Sequence, residues 1–141
     1  MLKTLRTKMQ DDKGFTLIEL MVVVLIIAIL IAIAIPTFLG LRRRAQDRAV
    51  QSDLRNGLVA AKAYYTDGEA YTGFDAAEGE TIEPSLDWAA DITITVPSAQ
   101  SVVMHATSAS TTVFCIADDS TSGTFTGTGA ETTVAGCNEG W

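Results

Sequence analysis

The sequence predicts an α+β chain: a long N-terminal α-helix, apolar in its first half, packed by its second half on a small antiparallel β-sheet head. Three observations predict it. Sixteen apolar residues run without a break from Leu20 to Ile35. Charge divides just as sharply: residues 1–62 carry all ten Lys and Arg beside five acids, while residues 63–141 carry twelve acids and no Lys or Arg. From Ile92 onward, apolar residues alternate with threonines. These features describe a membrane-inserted N-terminal segment bearing an acidic, water-facing head. They do not fit a uniformly soluble cytosolic enzyme. A direct nucleic-acid site in the C-terminal half is also excluded, because phosphate attraction needs Lys and Arg there.

Residues 1–14 are short and polar, with four basic and two acidic residues. They lack apolar periodicity and read as a leader peptide. Residues 15–35 are long enough, at about 1.5 Å per helical residue, to cross roughly 30 Å of hydrocarbon as a transmembrane helix. Thr16 and Glu19 are the notably polar residues within that span. Residues 36–67 continue as an amphipathic helix, with Val50, Leu54, Leu58, Ala61 and Tyr65 on one stripe. Pro36 lacks an N–H and should kink the helix, and Asp67-Gly68 is a reasonable stop. Residues 68–141 form the head. Residues 68–91 are acidic and rich in turn residues, and read as a loop. Strands are expected near 92–96, 101–106 and 111–117, with a short fourth at 132–134. Connections this short point to an antiparallel meander.

Cys115 and Cys137 both lie in the head. In an extracytoplasmic domain the simplest reading is one disulfide, with two unrelated thiols as the other possibility. No catalytic set, metal site or cofactor is expected. His105 is the single histidine and lies in a predicted strand, where a structural role fits best. There is no Gly-x-Ser-x-Gly elbow. Asp118, Asp119, Glu131 and Glu139 could approach a Ca²⁺ ion inside the cysteine loop, but their spacing is not that of an EF-hand. The run Arg42–Arg44 suits lipid headgroups, acids on a neighbouring head, or a merely solvated turn of helix.

Glu19 is the oddity of the apolar span. An ionised carboxylate in hydrocarbon is costly unless paired, which makes it a functional candidate, although a position near the helix end also lets it reach the interface. The stretch Gly14-Phe15-Thr16-Leu17-Ile18-Glu19-Leu20, with the apolar run behind it, resembles the class III signal of type IV pilins and related pseudopilins. Pro36 and the absence of Lys or Arg between Phe15 and Leu41 suit that family too.

The resemblance implies a type IV pilin-like architecture and a structural subunit, not an enzyme. A prepilin peptidase would cut between Gly14 and Phe15, and Phe15 would be N-methylated. Phe15 and Glu19 would then direct assembly into a helical homo-oligomeric filament through the pilus assembly platform and its ATPase machinery. The precursor would be a single-pass protein of the inner, or cytoplasmic, membrane, held in lipid, and the product an extracellular cell-surface filament. The Cys115–Cys137 pair is similar to the disulfide-bounded loop of many pilins. Three alternatives stand beside this reading: a pseudopilin of a type II secretion system, an uncleaved bitopic signal-anchored binding protein, and a secreted domain released after Ala34. Basic residues flank the apolar span on both sides, so the inward orientation of the leader rests on the resemblance alone.

Overall fold

The structure is a computed structural model and describes residues 14–141. The leader expected at 1–14 therefore lies outside the described residues, apart from Gly14. The chain divides into two compact units, one ending at Gly40 and the other spanning Leu41–Trp141.

Helix α1, Leu17–Gly68, contributes to both units. Its residues up to Gly40 are rich in Val and Ile, which are modest helix formers in water. A helix satisfies every backbone N–H and C=O within the segment, which is the condition for crossing hydrocarbon. Every side chain from Gly14 to Gly40 is exposed, including the large apolar ones. This stretch is long and apolar enough to cross a membrane.

In the second unit, the stripe of α1 is buried where its 3.6-residue period places it. Leu54, Leu58 and Ala61 are buried, and Val50 and Tyr65 pack at its margins. Gly57 sits among them, with Trp88, Ile92 and Met104 closing over its Cα. The helix ends at Gly68, but the left-handed residue that turns the chain is the next one, Glu69, at φ 51°.

The segment expected as a loop at 68–91 instead holds two short helices, α2 (Ala76–Ile82) and α3 (Trp88–Asp91). Their start signals are aspartates, easily taken for turn residues. The Asp75 carboxylate accepts from the N–H groups of Ala77 and Glu78, and Asp87 accepts from Ala90. Gly79 lies flat on the Trp88 indole, since a Cβ there would fall 2.7 Å from the ring. The indole Nε1–H donates to the Glu83 carbonyl at 2.8 Å.

The sheet is an antiparallel meander in the order β1 (Thr93–Ser98), β2 (Ser101–Thr107), β3 (Val113–Asp119), β4 (Gly123–Thr128). Its first three strands start and end within two residues of their expected positions. The fourth does not: Thr132–Val134 is not a strand, and β4 precedes it. The sequence Gly-Thr-Phe-Thr-Gly-Thr looks turn-like because it contains two glycines and one large apolar residue. Asp119 supplies the turn instead, accepting from the N–H groups of Thr121 and Ser122 before Gly123 at φ 93°.

The register sets two faces. Val102, Met104, Ala106, Phe114 and Ile116 point to α1, Tyr71 and Trp88, forming the main core. Val103, Cys115 and Ala117 point the other way and are also buried, under Cys137, Phe125 and Val134. The sheet is thus covered on both sides, by the helix and by the C-terminal tail.

Candidate functional site

The N-terminal site is built from the first turn of α1. Gly14, Phe15 and Thr16 are not helical, and Leu17 opens the helix. Thr16 and Glu19 make a reciprocal cap. The Glu19 Oε2 accepts from the Thr16 backbone N–H at 2.8 Å and from the Thr16 hydroxyl at 2.6 Å. The Glu19 N–H donates back to the Thr16 Oγ1 at 3.3 Å. This is a capping box, in which a Thr and a Glu three residues on satisfy each other's orphan donors. It holds the Gly14–Phe15 peptide two residues outside the helix.

The Phe15 side chain is 86% exposed, and nothing lies within 4 Å of a Cβ placed on Gly14. Among the described residues nothing crowds that position. From Leu20 to Leu41 there is no charged residue. Pro36 lies inside α1 and removes the N–H that would donate to Ala32, while the Thr37 hydroxyl returns to the Ile33 carbonyl at 3.3 Å.

The family model for the prokaryotic N-terminal methylation motif matches residues 9–35. The chain carries the residues of this N-terminal methylation motif. Over 69 residues the chain is 45% identical to the type IV wide pilus major component PilA4 of Thermus thermophilus, covering 49% of this chain and 53% of that one. Over 63 residues it is 41% identical to the type IV major pilin protein PilA of Myxococcus xanthus, covering 45% of this chain and 29% of the relative. It is also 36% identical over 63 residues to the type II secretion system core protein G of Klebsiella pneumoniae, covering 45% of each. The chain spans about half, or less, of the length of these curated relatives.

In the head, Cys115 and Cys137 are joined in a disulfide with Cα atoms 5.9 Å apart. The alternative of two free thiols is thereby corrected. The bond anchors the tail over the outer sheet face. Gly127 lets the tail pass close to β4, since a Cβ there would lie 3.2 Å from the Asn138 nitrogen. Trp141 closes the edge, with its Nε1–H donating to the Cys115 carbonyl at 2.9 Å and the Arg55 guanidinium over its ring at 4.6 Å.

Two of the four acids considered for Ca²⁺, Asp118 and Asp119, are otherwise engaged. Asp118 is buried and pairs with the Lys62 ammonium at 2.9 Å. It also accepts from the Tyr71 phenol and the Thr124 hydroxyl, each at 2.7 Å. Burial alone would raise its pKa, but donation from Lys62, Thr124 and Tyr71 outweighs that and holds the carboxyl below its ordinary range. Burial, then the bond to Asp118, pushes the Tyr71 phenol well above its ordinary value. Asp119 is taken up by its own turn. His105 lies half-buried on β2 opposite Cys115, and its Nδ1 has no hydrogen-bond partner. Among the described residues no three His, Cys, Asp or Glu side chains converge as metal ligands.

Sequence reasoning missed two features. The Thr16–Glu19 spacing is a readable cap signal, obscured because Glu19 had already been explained as a membrane charge. The Lys62–Asp118 pair joins residues far apart in sequence and leaves no local signal.

Proposed function

We propose that this chain is the structural subunit of a type IV pilus-like filament, stored as a membrane-inserted prepilin. The observation that carries this reading is the prepilin signal itself, ahead of an apolar helical stretch whose residues up to Gly40 are all exposed among the described residues. In this reading a prepilin peptidase hydrolyses the Gly14–Phe15 bond, which the cap keeps in non-helical backbone. Hydrolysis frees the Phe15 amine, and N-methylation leaves that nitrogen cationic. Glu19 of one subunit then pairs with the Phe15 amine of the next and sets the axial register. Pro36 supplies a bend, and the apolar faces that met lipid meet one another in the filament core. Such a segment is comfortable in either setting, so a subunit can leave the bilayer.

The partners in this reading are further copies of the chain, the peptidase, the assembly platform with its ATPase, and membrane lipid before assembly. The precursor belongs to the inner, or cytoplasmic, membrane and the filament to the cell surface. The role is structural and assigns the chain no catalysis or cofactor.

The similarity to a type II secretion core protein supports a second reading, a pseudopilin of a short periplasmic filament. The disulfide-closed head favours the surface pilus. Glu19→Ala tests the assignment: the expected result is a normally processed chain that builds few or no filaments. A normal filament yield would remove Glu19 from assembly.

A further inference from the structure

We propose that the heads of two copies join head to tail by opposite charge, with Arg42, Arg43 and Arg44 of one copy facing the acidic flank Asp67, Glu69, Glu78 and Glu80 of the other. This rests on the filament reading above and adds a specific contact to it. All seven side chains are exposed. The two groups mark different parts of the second unit. Arg43 and Asp67 stand 24 residues apart on α1, or about 36 Å at 1.5 Å per residue. That is several times the screening length of roughly 8 Å at physiological salt, so these two cannot neutralise each other within one copy.

The residues that could have neutralised each group internally are committed elsewhere. Asp47 is placed at i+4 from Arg43 and i+3 from Arg44, where a helical ion pair would form. Its carboxylate instead accepts from the hydroxyls of Ser108 and Ser110. Those bonds, Ser110's first, hold it below the ordinary carboxylate range. Lys62 is the base nearest the acidic end of α1, and its ammonium is held by Asp118 and the Thr124 hydroxyl. Arg55 lies over Trp141. Among the described residues Lys62–Asp118 is the one ion pair. Among the described residues neither the arginine group nor the acidic flank forms a direct ion pair, so both are left exposed for a partner.

The acidic flank has a defined course. Tyr64 contacts Phe74, and Trp88 closes on Gly57, so the chain after Glu69 returns alongside the helix with α2 outside Trp88. Glu78 and Glu80 flank Gly79 on that helix.

A second copy is the partner this arrangement fits. Like-charged surfaces repel, so the two patches cannot each meet themselves across a two-fold axis. Basic patch on acidic patch fits a heterologous contact, which repeats without closing when its rotation does not form a ring; the same pairing made twice about a two-fold axis would close as a dimer, so the filament reading selects the former. That is the symmetry a filament needs.

The test uses the full chain in cells that assemble it. One variant carries Arg42→Glu, Arg43→Glu and Arg44→Glu. A second carries Asp67→Lys, Glu69→Lys, Glu78→Lys and Glu80→Lys, and a third combines both sets. Each single set should lower the yield of sheared filaments by roughly tenfold or more, since like charges then face each other. The fraction of chain starting at Phe15 should stay unchanged. The combined variant should recover filaments, which would also show that both altered segments fold.

Unchanged yield in the arginine variant would overturn the proposal and leave the filament reading standing. So would failure of the combined variant to recover. Loss of precursor from membranes in the arginine variant, without recovery in the combined one, would assign the arginines to lipid headgroups instead. A processed wild-type chain that forms no filaments would overturn this contact and the filament reading together.

Discussion

The residues up to Gly40 and the second unit solve the same problem in opposite ways. In the second unit, apolar side chains are buried by the chain's own elements: the α1 stripe, Trp88, the two sheet faces and the disulfide-held tail. In the first, among the described residues 14–40, every side chain is exposed and the side-chain bonds are local ones at Thr16, Glu19 and Thr37. One region is held by internal contacts. The other needs a surrounding, lipid or neighbouring helices, to cover it. The difference teaches that substitutions in the two regions should be read by different assays, stability for the head and insertion or assembly for the helix.

The largest expected effect separates them directly. Trp88→Ala removes the indole that fills the space between Gly57, Gly79 and Phe74, and should destabilise the head by about 3–5 kcal/mol. Ile27→Ala should leave head stability unchanged, because Ile27 is exposed and is no member of the buried cluster. Near-ultraviolet circular dichroism melts of the full chain in detergent measure both. Equal losses would break the comparison.

Next comes the Cys115–Cys137 bond. It closes a separation of 22 residues, and its removal by Cys115→Ser with Cys137→Ser should cost about 3 kcal/mol in the chain-entropy account. The loss should be accompanied by faster proteolysis of residues 129–141, the tail that the bond ties to the sheet. A tail that stays protected would show that Trp141 and Val134 suffice to hold it.

The smallest effect is a pH dependence. Asp118 has a lowered pKa in the folded chain, so its contribution is present above the unfolded value near 3.9 and is lost as pH falls through the folded value. The melting temperature should drop on acidification below about pH 4, and Asp118→Asn should flatten that drop while lowering stability at neutral pH. An identical acid profile in the variant would take Asp118 out of the account.

The parts legible in the sequence were those with a period or a composition. Sixteen uninterrupted apolar residues and the 3.6-residue stripe from Val50 to Tyr65 declared the helix, and alternation declared β1 to β3. The segments hidden from it lacked both. Helix α2 has seven residues capped by an aspartate, too short to show a period. Strand β4 carries glycines where large apolar residues would signal a strand, because Gly127 must let the tail pass. Burial of the outer sheet face depends on where the tail folds back, a tertiary fact without a local pattern. At the N-terminal site, Gly14, Phe15 and Glu19 were visible as residue types. The bond from Glu19 to Thr16 became visible only with the geometry.

The central claim is that the first unit is cut after Gly14 and then covered by copies of itself. The most direct measurement is intact mass with N-terminal peptide mapping on sheared surface material and washed membranes. A chain that starts at methylated Phe15, is lighter by two hydrogens for the disulfide, and is abundant in the sheared fraction is the predicted result. A chain that still starts at Met1, confined to membranes, would contradict it and leave an uncleaved membrane-anchored protein.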